Sequence, residues 1–300
     1  MITYLPIAIL GFALNGGSTL IDKILLNKSL PSSFIYTFYI NILGLLAIFF
    51  IPFGLILSPE ILVSGILAGV IFVFALLYYF ESLRVGEASV VAPVVGSFNP
   101  LFALLIGAIF LRQTITSLEL LAFSILIFGA VILTANIWLA KLKLNKQLLF
   151  MVIAGFCFGL SAVILRETFL LSNFITGLVI SRLGGAILVL FFLFSSNLRS
   201  QIFSSKVSKN NFLNKTSMLM FSGQALGALS GLLIAFAVSL TSPALVNSLF
   251  GMQYLVILIA VFILEKHHPN LLDENFAKSV FAQKIIGVGV LSFGVYLLSK

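Results

Sequence analysis

From Thr216 to Leu264 the chain contains no Asp, Glu, Lys, Arg or His. A helix needs about 20 residues to cross about 30 Å of hydrocarbon, because each residue rises about 1.5 Å. The run is therefore too long for one span, and nothing in it could coat a water-facing surface. Ser239, Leu240, Thr241, Ser242 and Pro243 divide it into two, since proline and the hydroxyl residues break a continuous helix. The remainder of the sequence is alike, with 61% hydrophobic and 9% charged residues. A soluble domain carries about 25% charged residues. Lipid is thus the solvent for most of this chain, and a count of spans replaces a count of domains.

Charge-free runs and turn residues place ten spans, at roughly 4–22, 33–57, 61–80, 88–111, 117–139, 147–166, 173–195, 216–239, 243–264 and 281–299. Pro31, Ser58-Pro59 and Gly86 act as breakers between the early ones. The runs are continuously apolar rather than alternating, which excludes a closed barrel. The expected fold class is an all-α membrane protein of ten transmembrane helices. The first run lacks a basic leader and a small-residue cleavage site and is expected to be a retained span. The polar stretches 141–146, 195–215 and 265–284 are too short for soluble domains, and the last two could hold short interfacial helices.

The net charge is +8. In a soluble protein this would suggest nucleic acid, but here the basic residues stand singly between apolar runs, where they set topology against anionic lipid. Thirteen of the 17 fall at one side of the ten-span reading: Lys23, Lys28, Arg84, Lys141, Lys143, Lys146, Arg199, Lys206, Lys209, Lys215, Lys266, Lys278 and Lys284. Arg112, Arg166 and Lys300 fall at the other, and Arg182 lies within the seventh span. The positive-inside rule then places both termini outside a cell (inner) membrane. The partners expected are the bilayer and a small-molecule substrate, with no nucleic acid; a monomer is compatible with the sequence, which leaves oligomeric state open.

The two halves repeat a loose pattern. Glu81–Ser89, a proline-bearing span and Phe110–Gln113 parallel Ala237–Ala244, a span and Ile263–Lys266. Earlier, Leu10-Gly11-Phe12 parallels Ala154-Gly155-Phe156, each followed by a charged pair, Asp22-Lys23 and Arg166-Glu167. The units are 1–140 and 147–300, five spans each. An odd number of spans makes the halves run oppositely through the bilayer, the arrangement of alternating-access transporters whose sites lie between repeats.

The fourth span, Ala88–Ala103 with its small residues and two prolines, and the fifth-span ending Phe128–Leu133 resemble the EamA-like branch of the drug/metabolite transporter superfamily. Leu264-Glu265 after the ninth span and Ser292–Leu297 in the tenth resemble that family too, and Arg182 in Ile180–Gly185 matches its second-span arginine. The resemblance covers nearly the whole chain and implies two inverted five-helix repeats and a metabolite transporter, often an exporter of amino acids or related solutes. It implies cytoplasmic termini, against the charge bias. Three departures stand out: Leu111-Arg112-Gln113 where glycine-glutamate is usual, no arginine near Asn41, and an insertion at 266–283.

Polar groups inside spans are costly unless paired, so each is a candidate site residue. Arg182, about ten residues into its span, either holds a substrate carboxylate or phosphate or is satisfied by helix-end carbonyls. Asn15, Ser18 and Thr19 either face substrate or join helices at a small-residue seam. Ser97 and Asn99 are bracketed by Pro93 and Pro100, each of which frees a backbone carbonyl and could kink the fourth span beside a substrate. Gln224, Asn247 and Gln253 supply amides from spans eight and nine, and Tyr78, Tyr79 and Tyr254 could form an aromatic wall. Tyr4, Trp138 and Tyr296 read as interfacial belts.

No Asp or Glu lies in the middle of a span, since Glu81 and Glu167 are near ends and the others fall in loops. This leaves a proton relay of the usual kind without its carrier, with facilitated exchange or coupling through a terminal carboxylate open. Cys157 reads as a packing residue, and His267-His268 as loop without a third metal ligand. No nucleotide-binding, zinc-hydrolase or nucleophile motif occurs, so neither an enzyme nor a cofactor is expected. The competing classes are a transporter of sugars, nucleotide sugars or lipid-linked sugar, and a non-transporting scaffold or sensor with a packed centre.

Overall fold

The computed structural model describes residues 4–28, 32–110, 116–140, 146–204, 215–267, 272 and 277–298. Those residues form helices without strands, and ten of the helices are long and apolar enough to cross a membrane. Spans 1 to 5 are Tyr4–Lys28, Ser33–Gly44 continued by a 3-10 stretch Leu45–Phe53, Pro59–Val85, Ala88–Phe110 and Ser117–Ala140. Spans 6 and 7 are Lys146–Leu171 and Phe174–Phe191, the latter ending in a 3-10 turn Phe192–Phe194. Span 8 is Lys215–Leu240, and span 10 is Lys278–Leu298. Span 9 is interrupted: a short helix Pro243–Asn247, a 3-10 turn Ser248–Phe250, then Gly251–His267. Within the polar stretch 195–215, Ser196–Ser204 is a short helix.

Local chemistry explains the boundaries. Ser58 caps span 3 by accepting from Ile61 N at 3.3 Å, with Pro59 in the first turn where its missing N–H costs nothing. Asn173 caps span 7 by accepting from Thr176 N at 2.8 Å, and its amide donates to Gly54 O at 3.1 Å. Gly54 has φ +131°, a conformation that favours glycine, and it turns the chain out of span 2. Pro52 lies in the 3-10 stretch that ends that span.

Helices overrun the expected spans where the sequence carries charge. The pair Asp22-Lys23 predicts a stop to span 1, but the helix continues to Lys28 because both charges are taken inside. Lys23 is buried and donates to Leu83 O, near the end of span 3, at 3.0 Å. Span 6 overruns in the same way, since Arg166 donates to Val238 O and Ser239 O near the end of span 8. Lys284, at the overlap of the polar stretch 265–284 and the expected tenth span, is buried within span 10 and ion-paired with Glu87. These cations cap the carbonyl ends of neighbouring helices or pair across them instead of leaving the fold.

The outside of the molecule is apolar. Phe49, Phe53 and Phe194 are 75%, 73% and 82% exposed, a surface suited to hydrocarbon and not to water. Inside, span 1 packs along span 8 and span 9, and span 6 along span 3 and span 4. Span 5 packs along span 10, and span 3 along span 7. Glycines set the closest approaches: a Cβ on Gly69 would stand 1.9 Å from Ser181 O, and one on Gly184 2.5 Å from Ile66 O. Span 8 makes no comparable packing along span 2, and the space between them belongs to the cavity described next.

Candidate functional site

A cavity of about 530 Å³ occupies the centre, bounded by spans 1 to 4 and 6 to 9. Small-molecule sites fall in the range of about 300–1,000 Å³. Span 1 presents Asn15, Ser18, Thr19 and Asp22 to it. Their spacing of three, one and three residues keeps all four on one helical face. Span 8 contributes Gln224 and then small residues, Ala225, Gly227, Ala228 and Gly231, which leave room. Span 4 contributes Ala92, Val95, Gly96 and Asn99, and the interrupted span 9 contributes Asn247, Phe250 and Gln253.

Most polar groups around the cavity are tied to one another. Asn15 Nδ2 donates to Gln253 Oε1 at 3.0 Å, and Gln253 Nε2 donates to Thr19 Oγ1 at 3.2 Å. The Thr19 hydroxyl shares a hydrogen bond of 3.1 Å with Tyr79 Oη. Ser18 donates to Gly223 O at 3.1 Å, and Asn247 Nδ2 donates to Asn99 Oδ1 at 2.9 Å. At one end of the cavity Tyr36 donates to Asp22, and Gln224 Nε2 donates to Tyr36 Oη at 3.2 Å. These bonds form separate sets: one joins spans 1, 3 and 9, one joins spans 1, 2 and 8, Ser18 ties span 1 to span 8, and the asparagine pair joins spans 4 and 9.

Arg182 differs. It is half-buried, and it lines the cavity from span 7 with its Cζ 5.0 Å from the centroid of the Phe72 ring. Its Cδ passes Gly44, and its Nη2 would stand 3.4 Å from a Cβ at Gly231, so glycines on spans 2 and 8 clear its path. No hydrogen bond or ion pair to another described residue holds the guanidinium; its partner is an aromatic face. The helix-end carbonyls of the alternative reading are not its partners among the described residues; those of Leu83, Val238 and Ser239 accept from Lys23 and Arg166.

Of the expected residues, Asn15, Ser18, Asn99, Arg182, Gln224, Asn247 and Gln253 all line this one cavity. Ser97 does not; it is buried and donates to Pro93 O at 2.6 Å within its own span. Pro93 and Pro100 lie inside span 4, whose helix continues through both, and neither lines the cavity. The interrupted helix is span 9, which has no proline at its 3-10 turn. Tyr78 packs its ring on Phe150, 5.5 Å between centroids, while the next residue, Tyr79, lines the cavity. Adjacent helical residues point about 100° apart, so the aromatic wall begins one residue later than Tyr78. Tyr254 is buried outside the lining. The side chains of Trp138 and His267, and all of His268, lie outside the described residues.

The residue that sequence reasoning misses is Asp22: expected in a loop, it stands in the last two turns of span 1, buried and lining the cavity. Its position seven residues after Asn15, on the face already carrying Ser18 and Thr19, is the available signal. Ending the span at the first charged pair conceals it.

No family model matches the sequence, and no curated protein matches it. A solved structure described only as "Crystal structure of protein" shares the fold, with a TM-score of 0.59 over 98% of this chain and 99% of its own. The two are 16% identical, a likeness of fold alone.

Proposed function

We propose that this protein is a secondary transporter, in the exporting sense, of small polar metabolites such as amino acids, and a drug/metabolite transporter of the EamA-like kind. It works by alternating access around the central cavity between two inverted five-helix repeats, in a cell membrane with both termini outside. The observation that carries the reading is Arg182, a cation in a central cavity with no anion beside it among the described residues. A guanidinium so placed is suited to a substrate carboxylate, held by paired charge-assisted hydrogen bonds.

The contacts support the repeat. Advancing every span by five turns the pair 1 with 8 into 6 with 3, and 1 with 9 into 6 with 4, and both members of each exchange are packed. The pair 5 with 10 maps onto itself. Lys23 of span 1 on the end of span 3 becomes Arg166 of span 6 on the end of span 8. Lys23 and Lys284, although buried, keep to the ends of their helices that the charge count assigned to the cytoplasm.

The test is flux into proteoliposomes holding the purified full chain, with labelled amino acids and sugars as the panel. Amino-acid exchange is expected, and Arg182→Gln should lower kcat/KM about 100-fold, the cost of leaving a buried anion unpaired. No flux of any solute, with Asn99 and Gln253 substitutions changing only stability, would establish the scaffold reading. One observation favours a lipid-linked cargo as the second reading. Between spans 2 and 8 the cavity is bounded by side chains such as Leu46, Phe50 and Phe221, which are exposed towards lipid. Flux of a lipid-linked sugar without amino-acid flux would select it.

A further inference from the structure

We infer that Asp22 is a proton-binding site that couples transport to a pH gradient. The inference rests on the transporter reading, because it assumes that the cavity is loaded and emptied across the membrane. Asp22 is buried and lines the cavity, and no cation among the described residues pairs with it. The ammonium beside it in sequence, Lys23, is turned to Leu83 O.

The surrounding groups narrow what could bind there. The ionisable and charged residues on the neighbouring elements are Tyr36 and Tyr39 on span 2, Glu60, Tyr78, Tyr79, Glu81 and Arg84 on span 3, and Tyr254 among the described side chains of span 9. Glu60 is in the first turn of span 3, at the opposite end of that helix from Leu83. Glu81 is paired with Arg84, Tyr39 donates to Ile202 O, and Tyr78 packs on Phe150. Span 4 and the described side chains of span 8 carry no ionisable residue, and Glu87, just before span 4, is held by Lys284. Tyr36 donates to the carboxylate, and Tyr79 sits one turn away on Thr19. A metal cation needs several free oxygens, whereas here Ser18 is spent on Gly223 O and Tyr36 on Asp22 itself. A proton needs only the carboxylate.

The substrate's own ammonium is too far away to serve. Spans 1 and 8 run antiparallel in a register that sets Gly11 by Ile234, Ser18 by Gly227 and Ile21 by Gly223. Asp22 therefore stands near the level of residue 223, and the Arg182 guanidinium stands at Gly231. Eight residues along a helix are about 12 Å. An α-amino acid with its carboxylate on Arg182 cannot set its ammonium on Asp22 across that gap. A loaded cavity thus leaves Asp22 a buried carboxylate with the Tyr36 hydroxyl and no cation to compensate it, an expensive state that a proton removes. In the step, one carboxylate oxygen takes a proton from hydronium, the new O–H bond forms, water is released, and Tyr36 keeps its own proton.

Two measurements test this. In proteoliposomes, an imposed gradient of one pH unit should change steady-state accumulation of the transported amino acid about tenfold, for one proton per substrate. In Asp22→Asn the ratio of accumulation with and without the gradient should fall to about one. Wild-type exchange that ignores the pH gradient, follows a sodium gradient, or is equally gradient-driven in Asp22→Asn overturns the proton site while leaving the transporter reading standing. Absence of all flux overturns the transporter reading instead. The second measurement needs neither substrate nor variant: dicyclohexylcarbodiimide modifies carboxylic acids, not carboxylates, in apolar sites. Mass spectrometry of the reconstituted wild type should find Asp22 modified, falling about tenfold per pH unit above its midpoint. Unmodified Asp22, or modification independent of pH, refutes the assignment.

Discussion

Two interfaces that the proposed five-span relation makes equivalent have opposite characters. Span 3 lies against span 7, with Gly69 beneath Ser181 O and Gly185 N. Span 8 and span 2 are their counterparts, and there the helices stand apart with the cavity between them. The residue of span 8 that corresponds to Gly69, counted from the helix ends Val85 and Leu240, is Gln224. Glycine lets one pair of backbones touch, while the glutamine side chain reaches across a gap to Tyr36. A transporter that rocks between two states needs one such seam closed and the other open at any moment, and the pair supplies that asymmetry.

The largest expected effect breaks the closed seam. A Cβ at Gly69 would meet backbone atoms at 1.9 and 2.8 Å, which no rotamer change relieves. Gly69→Ala should therefore cost more than the usual overpacking range of about 1–3 kcal/mol. It should appear as loss of the monodisperse peak in detergent size-exclusion chromatography. Gln224→Ala, at the open seam, removes one hydrogen bond and should cost about 0.6 kcal/mol. Equal stability of the two variants would remove the distinction between the seams.

Charge follows the same logic, and it shows what the sequence could convey. The ten spans are legible because hydrocarbon imposes length and apolarity on every one of them. Arg182, Gln224, Asn247 and Gln253 are legible because a polar side chain within such a run must either line a site or join helices. Asp22 is not, since a charged pair near a span end reads as an exit from the membrane unless its partners are known. Those partners, the Leu83 carbonyl and the Tyr36 hydroxyl, come from other helices. Tyr78 and Tyr79 are ambiguous for a related reason. A helix in lipid lacks a strong polar-apolar stripe to fix which face turns inward, so the neighbour that lines the cavity could not be chosen. The prolines of span 4 suggest a loosened helix that is not found, because a helix buried among others can carry them without interruption.

The next effect in size tests the equivalence of the halves directly. Lys23 and Arg166 each satisfy carbonyls near the end of a neighbouring span. Hydrogen bonds to charged groups contribute about 1.5–3 kcal/mol, so Lys23→Met and Arg166→Met should each lower stability by about that amount. Thermal unfolding of the reconstituted variants would read it. A full cost at Lys23 with none at Arg166 would show that the two caps are unrelated and weaken the repeat.

The smallest effect concerns the amide seam between spans 1 and 9. Asn15 donates to Gln253 there, while the five-span counterpart of Asn15, counted from Gly11 and Gly155, is Gly159, set against the backbone of Asn99. One half thus closes its seam with a side-chain bond and the other with a glycine contact. In the proposed cycle a bond between moving spans should be weak, and interhelical bonds in membranes average about 0.6 kcal/mol. A double-mutant cycle on Asn15→Ala and Gln253→Ala should give a coupling of that order by unfolding. The same cycle on exchange rate should give a different value, because the rate also reports any separation of spans 1 and 9 on the way to the other state. Identical couplings in the two measurements would mean that this seam stays shut throughout the cycle, and that the movement is confined to the open side at spans 2 and 8.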